Sequence, residues 1–142
     1  MSHISAVIPT LNAEATLERT LACLKDAPPI GEVIVSDAAG ADAGKAIAER
    51  FGARVIEAPR GRGAQLAAGA AQAKHDWLLF LHADTVLGDG WMEAVEAFVT
   101  KNSNERAAVF RFVLDDTHWR ARVLEALVRW RVRLFALPYG DQ

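Results

Sequence analysis

One stretch constrains the fold of this chain more than any other. It is an unbroken apolar run from Trp77 to Leu81, followed by His82, Ala83 and Asp84. A short continuous apolar run is typical of a strand buried on both faces inside a parallel sheet. In open α/β sheets, ligands bind just beyond the carboxyl ends of the strands. The run therefore predicts a central parallel strand whose end, marked by Asp84, lies at a binding site.

Strand and helix patterns alternate along the rest of the chain. Predicted strands cover residues 4–8, 32–36, 54–57, 77–81 and 107–114. Helical spacing of apolar residues predicts helices over about 13–25, 43–51, 64–73, 91–99 and 118–135. Asn12 stands directly before the first helix, where an asparagine commonly caps the helix N-terminus. This alternation favours an α/β fold with a mostly parallel sheet and helices on both faces.

Composition limits the classes of protein to consider. The chain has 142 residues, 51% of them hydrophobic and 24% charged, which suits one domain with one core. The formal net charge of −2 gives no reason to expect nucleic-acid binding. Residues 1–110 carry 10 Lys/Arg and 14 Asp/Glu, whereas residues 111–142 carry 6 and 4. The last part of the chain is therefore net basic, unlike the body.

Cysteine use and hydropathy favour a cytoplasmic location. Cys23 is the only cysteine, which excludes an internal disulfide and fits a reducing compartment. No charged segment followed by a long apolar run opens the chain, so we expect no signal peptide. No run approaches the ~20 apolar residues that a membrane span needs.

Polar side chains follow three of the predicted strands. Thr10 and Asn12 follow the first, Asp37 the second and Asp84 the fourth. Because parallel strands end at one edge of a sheet, these side chains should converge there. One carboxylate can accept hydrogen bonds from a base or a ribose hydroxyl, and the other can hold a divalent cation that neutralises a diphosphate.

A basic glycine loop, Arg60-Gly61-Arg62-Gly63, precedes the alanine-rich helix, and such a loop at a helix start can bind an anion.

Each of these signals also has a structural interpretation. A single aspartate after a strand is usually a turn or cap residue. A Gly/Arg loop is usually a solvated turn, and His82 alone would more often be a hydrogen-bonded structural histidine. The combined order of the signals is more specific than any one of them.

Four segments taken in register carry a family resemblance. They are Val7–Glu14, Val33–Asp37 with Asp42 following, Pro59–Gln65 and Leu79–Thr85. In this order the chain resembles the family-two glycosyltransferases, which have a GT-A, Rossmann-like fold. The Pro59–Arg62 and Leu81–Thr85 segments, with the final Gly140-Asp141-Gln142, also resemble one bacterial branch, selenodomain-associated transferase 2. The resemblance covers nearly the whole chain.

The resemblance implies a nucleotide-sugar donor and a divalent cation, Mg²⁺ or Mn²⁺. The family's Asp-x-Asp motif falls on His82-Ala83-Asp84, so Asp84 would hold the metal between the phosphates. His82, a softer ligand, would join it or orient ribose or water. Asp37 would accept from the base, with Arg60 and Arg62 near the base or phosphates. The implied donor-binding residues are Thr10, Leu11, Asn12, Glu14, Asp37, Arg60, Arg62, Gln65, His82, Ala83 and Asp84.

The resemblance further implies inverting transfer, in which a carboxylate deprotonates the acceptor hydroxyl. The family's motif for that base lies beyond Gln142, so residues 1–142 are expected to be a single but incomplete GT-A domain. Within the chain, Asp141 is the candidate base. A shortened domain would leave apolar surface uncovered, which predicts a homodimer or an exchange of C-terminal segments.

The predicted helix 118–135 has two interpretations. An apolar stripe of Trp119, Val123, Leu127, Trp130 and Leu134 runs beside several arginines. A Trp/Arg helix can lie on an anionic membrane, where a lipid-linked acceptor would be found. The alternative, which we prefer on the sequence alone, is a packed helix whose arginines extend to solvent.

Three rival classes share parts of this pattern. An inactive nucleotide-binding module or fragment would have the same fold without turnover. A nucleotidyltransferase would usually carry a basic, glycine-rich loop after the first strand, where this chain has Pro9-Thr10-Leu11-Asn12. A Rossmann oxidoreductase would carry G-x-G-x-x-G there, which the sequence lacks.

Overall fold

The computed structural model describes residues 3–41, 43–101, 106–111 and 113–135, the last five by their backbone. The chain divides after residue 105 into two compact units. Strands and helices alternate in the first unit, because short apolar runs alternate with helical patterns. The elements of this unit are β1 (Ile4–Thr10), α1 (Glu14–Leu24), β2 (Ile30–Asp37), α2 (Gly44–Arg50), β3 (Arg54–Glu57), α3 (Arg62–Ala71), β4 (Trp77–Phe80) and α4 (Trp91–Lys101).

The four strands form one parallel sheet in the order β3-β2-β1-β4. β1 pairs with both β2 and β4, so that Thr10 stands beside Asp37 and Val7 beside Phe80. β3 pairs with the other side of β2, with Glu57 beside Asp37. The prediction of an α/β fold with a mostly parallel sheet is confirmed, and the carboxyl ends of the strands lie at one edge.

Helices cover both faces of the sheet, also as predicted. The larger core cluster joins one face to α1, α2 and α4 and includes Ile8, Leu17, Val35, Ala48 and Trp91. The smaller cluster joins the other face to α3 and includes Val7, Ile34 and Ile56. α3 approaches the sheet closely because Gly69 has no side chain, and a Cβ at this position would collide with Val7.

β4 corrects one prediction from the sequence. Its apolar run predicts a strand buried on both faces, but Leu78 and Phe80 are 37% and 45% exposed, while Leu79 is buried. In the described sheet β4 is an edge strand, and Leu78 and Phe80 share a face with their β1 partners, Ser5 and Val7. α3 packs on that face mainly against β1 and β2. This face of β4 is therefore left largely uncovered.

A polar network closes the amino-terminal edge of the sheet. Glu32 Oε1 accepts hydrogen bonds from Ser5 Oγ and from the Lys74 N–H, both at 2.6 Å, and Oε2 pairs with Arg54 Nη2 at 3.3 Å. The His75 N–H donates to Ser5 Oγ at 3.2 Å. Burial raises the pKa of Glu32, but these hydrogen bonds and the Arg54 charge together hold the pKa below its ordinary value.

The second unit contains the helix α5 (Trp119–Phe135). The predicted fifth strand, 107–114, is wrong for its described part, because residues 107–111, 113 and 114 have no regular secondary structure. Val109, Phe110 and Val113 are exposed. Alternating apolar residues form a stable strand only against a neighbouring strand or a core, and in the described residues this segment has no strand partner.

Glu125 ties α5 to the segment before it. Its Oε1 accepts hydrogen bonds from the Leu114 N–H and from Arg122 Nη1, each at 2.8 Å. These bonds, the first of them foremost, hold the pKa of Glu125 below its ordinary value against the opposing effect of burial. None of the helices in the described ranges combines the length and apolar character that crossing a membrane requires.

Candidate functional site

The carboxyl edge of the sheet has a switch point between β1 and β4. From β1 the chain adds β2 and then β3 on one side, and α3 then leads it back to the other side of β1, where β4 pairs. Ligands of open α/β sheets bind at such a reversal of strand order. The predicted residues on the loops after β1, β2 and β4 all lie at this edge.

Thr10 and Asp37 form the fixed part of the site. Thr10 is buried at the end of β1, and its Oγ1 donates a hydrogen bond to Asp37 Oδ1 at 2.9 Å. The Gly40 N–H donates to Asp37 Oδ2 at 3.0 Å. A carboxylate has about four lone-pair positions, so each oxygen retains acceptor capacity. Asp37 is half-buried and held in one orientation.

Asn12 and Glu14 join the loop after β1 to the loop after β2. Asn12 Oδ1 accepts from the Ala41 N–H and Glu14 Oε2 accepts from the Ala43 N–H, each at 3.1 Å. The prediction that Asn12 caps the first helix is wrong, because Ala13 is the N-cap residue of α1 and makes no side-chain cap bond. Asn12 has a positive φ of 53°, which turns its side chain to the neighbouring loop.

Gln65 acts as a buried clamp between β1 and β2. Its Nε2 donates to the Thr10 carbonyl at 2.7 Å and to the Ser36 carbonyl at 2.8 Å. Ser36 Oγ donates in return to the Gln65 carbonyl at 2.7 Å. Sequence reasoning predicted contact with a ligand and missed this structural role. The available signal was a lone amide on the buried side of an alanine-rich helix, because a buried polar group needs hydrogen-bond partners.

The basic glycine loop stands at the start of α3. The helix begins at Arg62, two residues before the predicted start, and Gly61 precedes it with a φ of 130°. Arg60 and Arg62 are both exposed. An anion is favoured at a helix N-terminus by the N–H groups and the helix dipole, and two guanidinium groups strengthen that preference.

The segment His82-Ala83-Asp84 follows β4 directly. Thr20 Oγ1 of α1 donates to the Ala83 carbonyl at 2.9 Å, and the Thr85 N–H donates to the His82 carbonyl at 3.2 Å. These bonds fix the backbone of the turn, while His82 is half-buried and Asp84 is exposed. In the described part of the chain, no group of three or more His, Cys, Asp or Glu residues is placed to hold a metal ion.

Three predicted residues remain to be placed. Asp42 and the candidate base Asp141 lie outside the described residues. Leu11 lies exposed in the loop after β1. The structure thus brings the predicted residues that follow β1, β2 and β4, and those at the start of α3, to one edge of the sheet.

Solved structures share this architecture. Glucosyl-3-phosphoglycerate synthase from Mycobacterium tuberculosis is similar with a TM-score of 0.52 and 28% identity, over 60% of this chain and 34% of that one. That structure contains Mn²⁺, UDP and glucosyl-3-phosphoglycerate. TarS 1-349 from S. aureus is similar with a TM-score of 0.62 and 23% identity, over 70% of this chain and 32% of that one, which supports the fold alone. The GT-A type of α/β fold is confirmed by these likenesses.

Sequence comparison gives the family. A protein from Rickettsia felis, described as an uncharacterized glycosyltransferase, is 31% identical over 115 residues, which are 80% of this chain and 40% of the relative. A protein of the same description from Rickettsia bellii is 31% identical over 112 residues, 78% of this chain and 37% of the relative. This chain thus spans two fifths or less of the length of the curated relatives that it matches. Residues 5–139 match the family model for glycosyl transferase family 2, and the chain belongs to that family.

Proposed function

We propose that residues 1–142 form the donor-binding part of an inverting glycosyltransferase, which passes a sugar from a nucleotide diphosphate to an acceptor hydroxyl. One observation carries the proposal: the fixed carboxylate of Asp37 follows β2 and the exposed carboxylate of Asp84 follows β4, the two neighbours of β1, at the sheet edge that contains the switch point. The synthase from Mycobacterium tuberculosis, which contains UDP and Mn²⁺, is 28% identical to the matched part of this chain and supports this reading.

In this proposal Asp37 accepts a hydrogen bond from the base of the donor. Thr10 and the Gly40 N–H orient the carboxylate beforehand, so less freedom is lost when the donor binds. Asn12 and Glu14 fix the loop after β2 by accepting hydrogen bonds from its backbone N–H groups. The remaining donor contacts are proposed for exposed Leu11, the backbone of Ala83, and Arg60 and Arg62 beside the phosphates, while Gln65 acts by fixing the strands.

We propose that Asp84 holds Mg²⁺ or Mn²⁺, with His82 as its neighbour. Mg²⁺ is usually bound through one or two carboxylates together with substrate phosphates and water. An exposed carboxylate next to the switch point fits a cation that is shared with a diphosphate. Such a cation would stabilise the negative charge that develops on the leaving diphosphate.

The acceptor side of the reaction depends on residues that the structure does not describe. Asp141 stays the candidate for the base that removes the proton of the acceptor hydroxyl. A cytoplasmic location, favoured by the single cysteine, and membership of the selenodomain-associated branch are further parts of the proposal.

A thermal-shift panel tests donor and metal binding. The protein is heated with UDP-, GDP- and dTDP-sugars, each with and without Mn²⁺. We expect one nucleotide to raise Tm only when Mn²⁺ is present, and Asp84→Ala to remove that rise. Asp89→Ala, another exposed aspartate after β4, is the matched control and should respond like the wild type. A rise that does not need the metal would remove Asp84 from its proposed role.

The rival interpretation is an inactive nucleotide-binding module. It shares the donor site and differs in turnover, so release of free nucleotide from the matching donor separates the two. Metal-dependent binding without any turnover, with or without added acceptor alcohols, would favour the module. A null result for all nucleotides in the thermal-shift panel would contradict both.

We also propose that the first unit self-associates through β4. Leu78 and Phe80 are exposed on one face of an edge strand, and such surfaces commonly pair with another chain. Light scattering across a concentration series tests this, with Phe80→Ser expected to lower the apparent mass. A monomer at every concentration would contradict it.

A further inference from the structure

The helix α5 presents an apolar stripe to solvent. Trp119 and Trp130 are 65% and 69% exposed, and Val123 and Leu127 between them are also exposed. At about 100° per residue these four side chains fall within about 80° of the helix circumference. The face that does pack is a different one, formed by Ala121, Glu125 and Val128. The packed-helix interpretation that the sequence favoured therefore does not describe this stripe.

Arginines border the stripe on both sides. Arg120 follows the Leu127 side, with its guanidinium carbon 5.6 Å from the centre of the Trp119 ring, and Arg129 lies toward the other side. α5 contains five arginines and a single acidic residue, Glu125. Glu125 is already engaged by Arg122 and by the Leu114 N–H. The exposed surface of the helix is thus apolar in the middle and cationic at its borders.

We propose that this face of α5 binds an anionic lipid surface, with the helix lying in the plane of the interface. Tryptophan rings at both ends of the stripe suit the boundary between head groups and acyl chains, and the bordering arginines suit anionic head groups. An anionic lipid surface complements the bordering arginines, whereas two α5 segments facing each other would repel, because residues 111–142 are net basic in every copy. This inference stands independently of sugar transfer, although a membrane-bound enzyme would meet lipid-linked acceptors.

Vesicle sedimentation tests the proposal with the whole chain. Wild-type protein should bind vesicles of phosphatidylcholine and phosphatidylglycerol, and not vesicles of phosphatidylcholine alone. Arg120→Gln with Arg129→Gln should weaken binding by about fivefold per charge removed. Arg50→Gln, an exposed arginine of α2 in the first unit, is the matched control and should bind like the wild type. Salt at about 0.5 M should release the protein, because screening shortens the range of the attraction.

The tryptophans give the second arm of the test. Trp119→Ala with Trp130→Ala should lower vesicle binding by about tenfold or more, whereas Leu124→Ala, exposed on the same helix but off the stripe, should have little effect. Brominated anionic lipid should quench wild-type tryptophan fluorescence, which requires no variant to fold.

Three results would overturn the proposal. They are equal binding to neutral and anionic vesicles, no binding at all, and a tryptophan double variant that keeps binding. A double variant that loses self-association or thermal stability while wild type ignores vesicles would assign the stripe to protein packing. Vesicle binding without any response to nucleotides would leave this proposal intact and count against the transferase site instead.

Discussion

Strand β2 carries a carboxylate near each end, and the two are bonded in parallel ways. Glu32 accepts a hydroxyl hydrogen from Ser5 of β1, and Asp37 accepts one from Thr10 of β1. Each carboxylate also accepts one backbone N–H from a loop, Asp37 from Gly40 just after β2 and Glu32 from Lys74 just before β4. The same device therefore orients a side chain at both edges of the sheet.

The two carboxylates of β2 differ in whether a cationic side chain pairs with them. Arg54 pairs with Glu32, whose side chain is 11% exposed. At the other end, no lysine or arginine of the described residues lies within ion-pair distance of Asp37. The charge of Glu32 at the amino-terminal edge is thus paired, whereas the oriented charge of Asp37 at the carboxyl edge has no counter-ion among the described residues. Departures of this kind from local charge pairing are expected at functional sites.

The largest loss of stability is expected at Gln65, the buried side chain that holds the carboxyl ends of β1 and β2 together. Gln65→Ala leaves the Thr10 and Ser36 carbonyls without their shared donor and opens a gap under α3. We expect a loss of about 3 kcal/mol in the free energy of unfolding, measured in urea. Gln72→Ala, an exposed glutamine at the end of the same helix, removes only one exposed hydrogen bond, from Arg54 Nη1 to Gln72 Oε1, and should cost at most about 1 kcal/mol. Equal losses in the two variants would contradict the clamp.

Local sequence patterns sufficed to predict the strands and helices of the first unit and the sheet edge on which the site lies. The apolar run Val33-Ile34-Val35 and its closing Asp37 predict a strand and its polar end without knowledge of any neighbour. Parallel pairing then places the ends together, since βα alternation allows little else. For the same reason the predicted residues Thr10 and Asp37 do meet.

What local patterns missed depends on partners distant in sequence. Phe80 would be apolar whether β4 were a central strand or an edge strand. Its exposure follows from the position of β4 at the edge of the described sheet. Asn12 bonds Ala41, and Gln65 bonds the backbone of Thr10 across 55 positions. A hydrogen bond between distant segments leaves no periodic signal, so the partners of these two side chains could be read only from the structure.

The stability of the protein should depend on the charge of Glu32 at the amino-terminal edge of the sheet. In Glu32→Gln the new amide N–H₂ must face either Arg54 or the Lys74 N–H, because Oε2 accepts from Arg54 and Oε1 accepts from Lys74, so either amide orientation sets two donors against each other. We expect a loss of about 2 kcal/mol at neutral pH in urea unfolding. Glu49→Gln, an exposed glutamate of α2, is the control and should change stability by at most about 0.5 kcal/mol.

The same variant should alter the acid stability of the protein. The pKa of Glu32 is lower in the folded protein than its ordinary value, so the unfolded chain binds the proton more readily. The stabilisation is present above the ordinary pKa, about 4.3, and is lost as the pH falls through the folded pKa. Wild type should therefore lose its advantage over Glu32→Gln as the pH is lowered through this range in a Tm series. A constant difference at all pH values would exclude this titration.

The smallest change in stability is expected at the carboxyl end of β2, for Asp37. In Asp37→Asn the remaining oxygen can accept from the Gly40 N–H, and the new N–H₂ can donate to Thr10 Oγ1, whose hydroxyl rotates to accept it. Urea unfolding should therefore show a loss of at most about 1 kcal/mol. Binding of the matching nucleotide should nevertheless weaken by about tenfold, because a hydrogen bond to a neutral acceptor is weaker than one to a carboxylate. If Asp37→Asn instead destabilises the fold as much as Glu32→Gln and binds nucleotide normally, Asp37 is a second structural carboxylate, and the contrast between the two ends of β2 disappears.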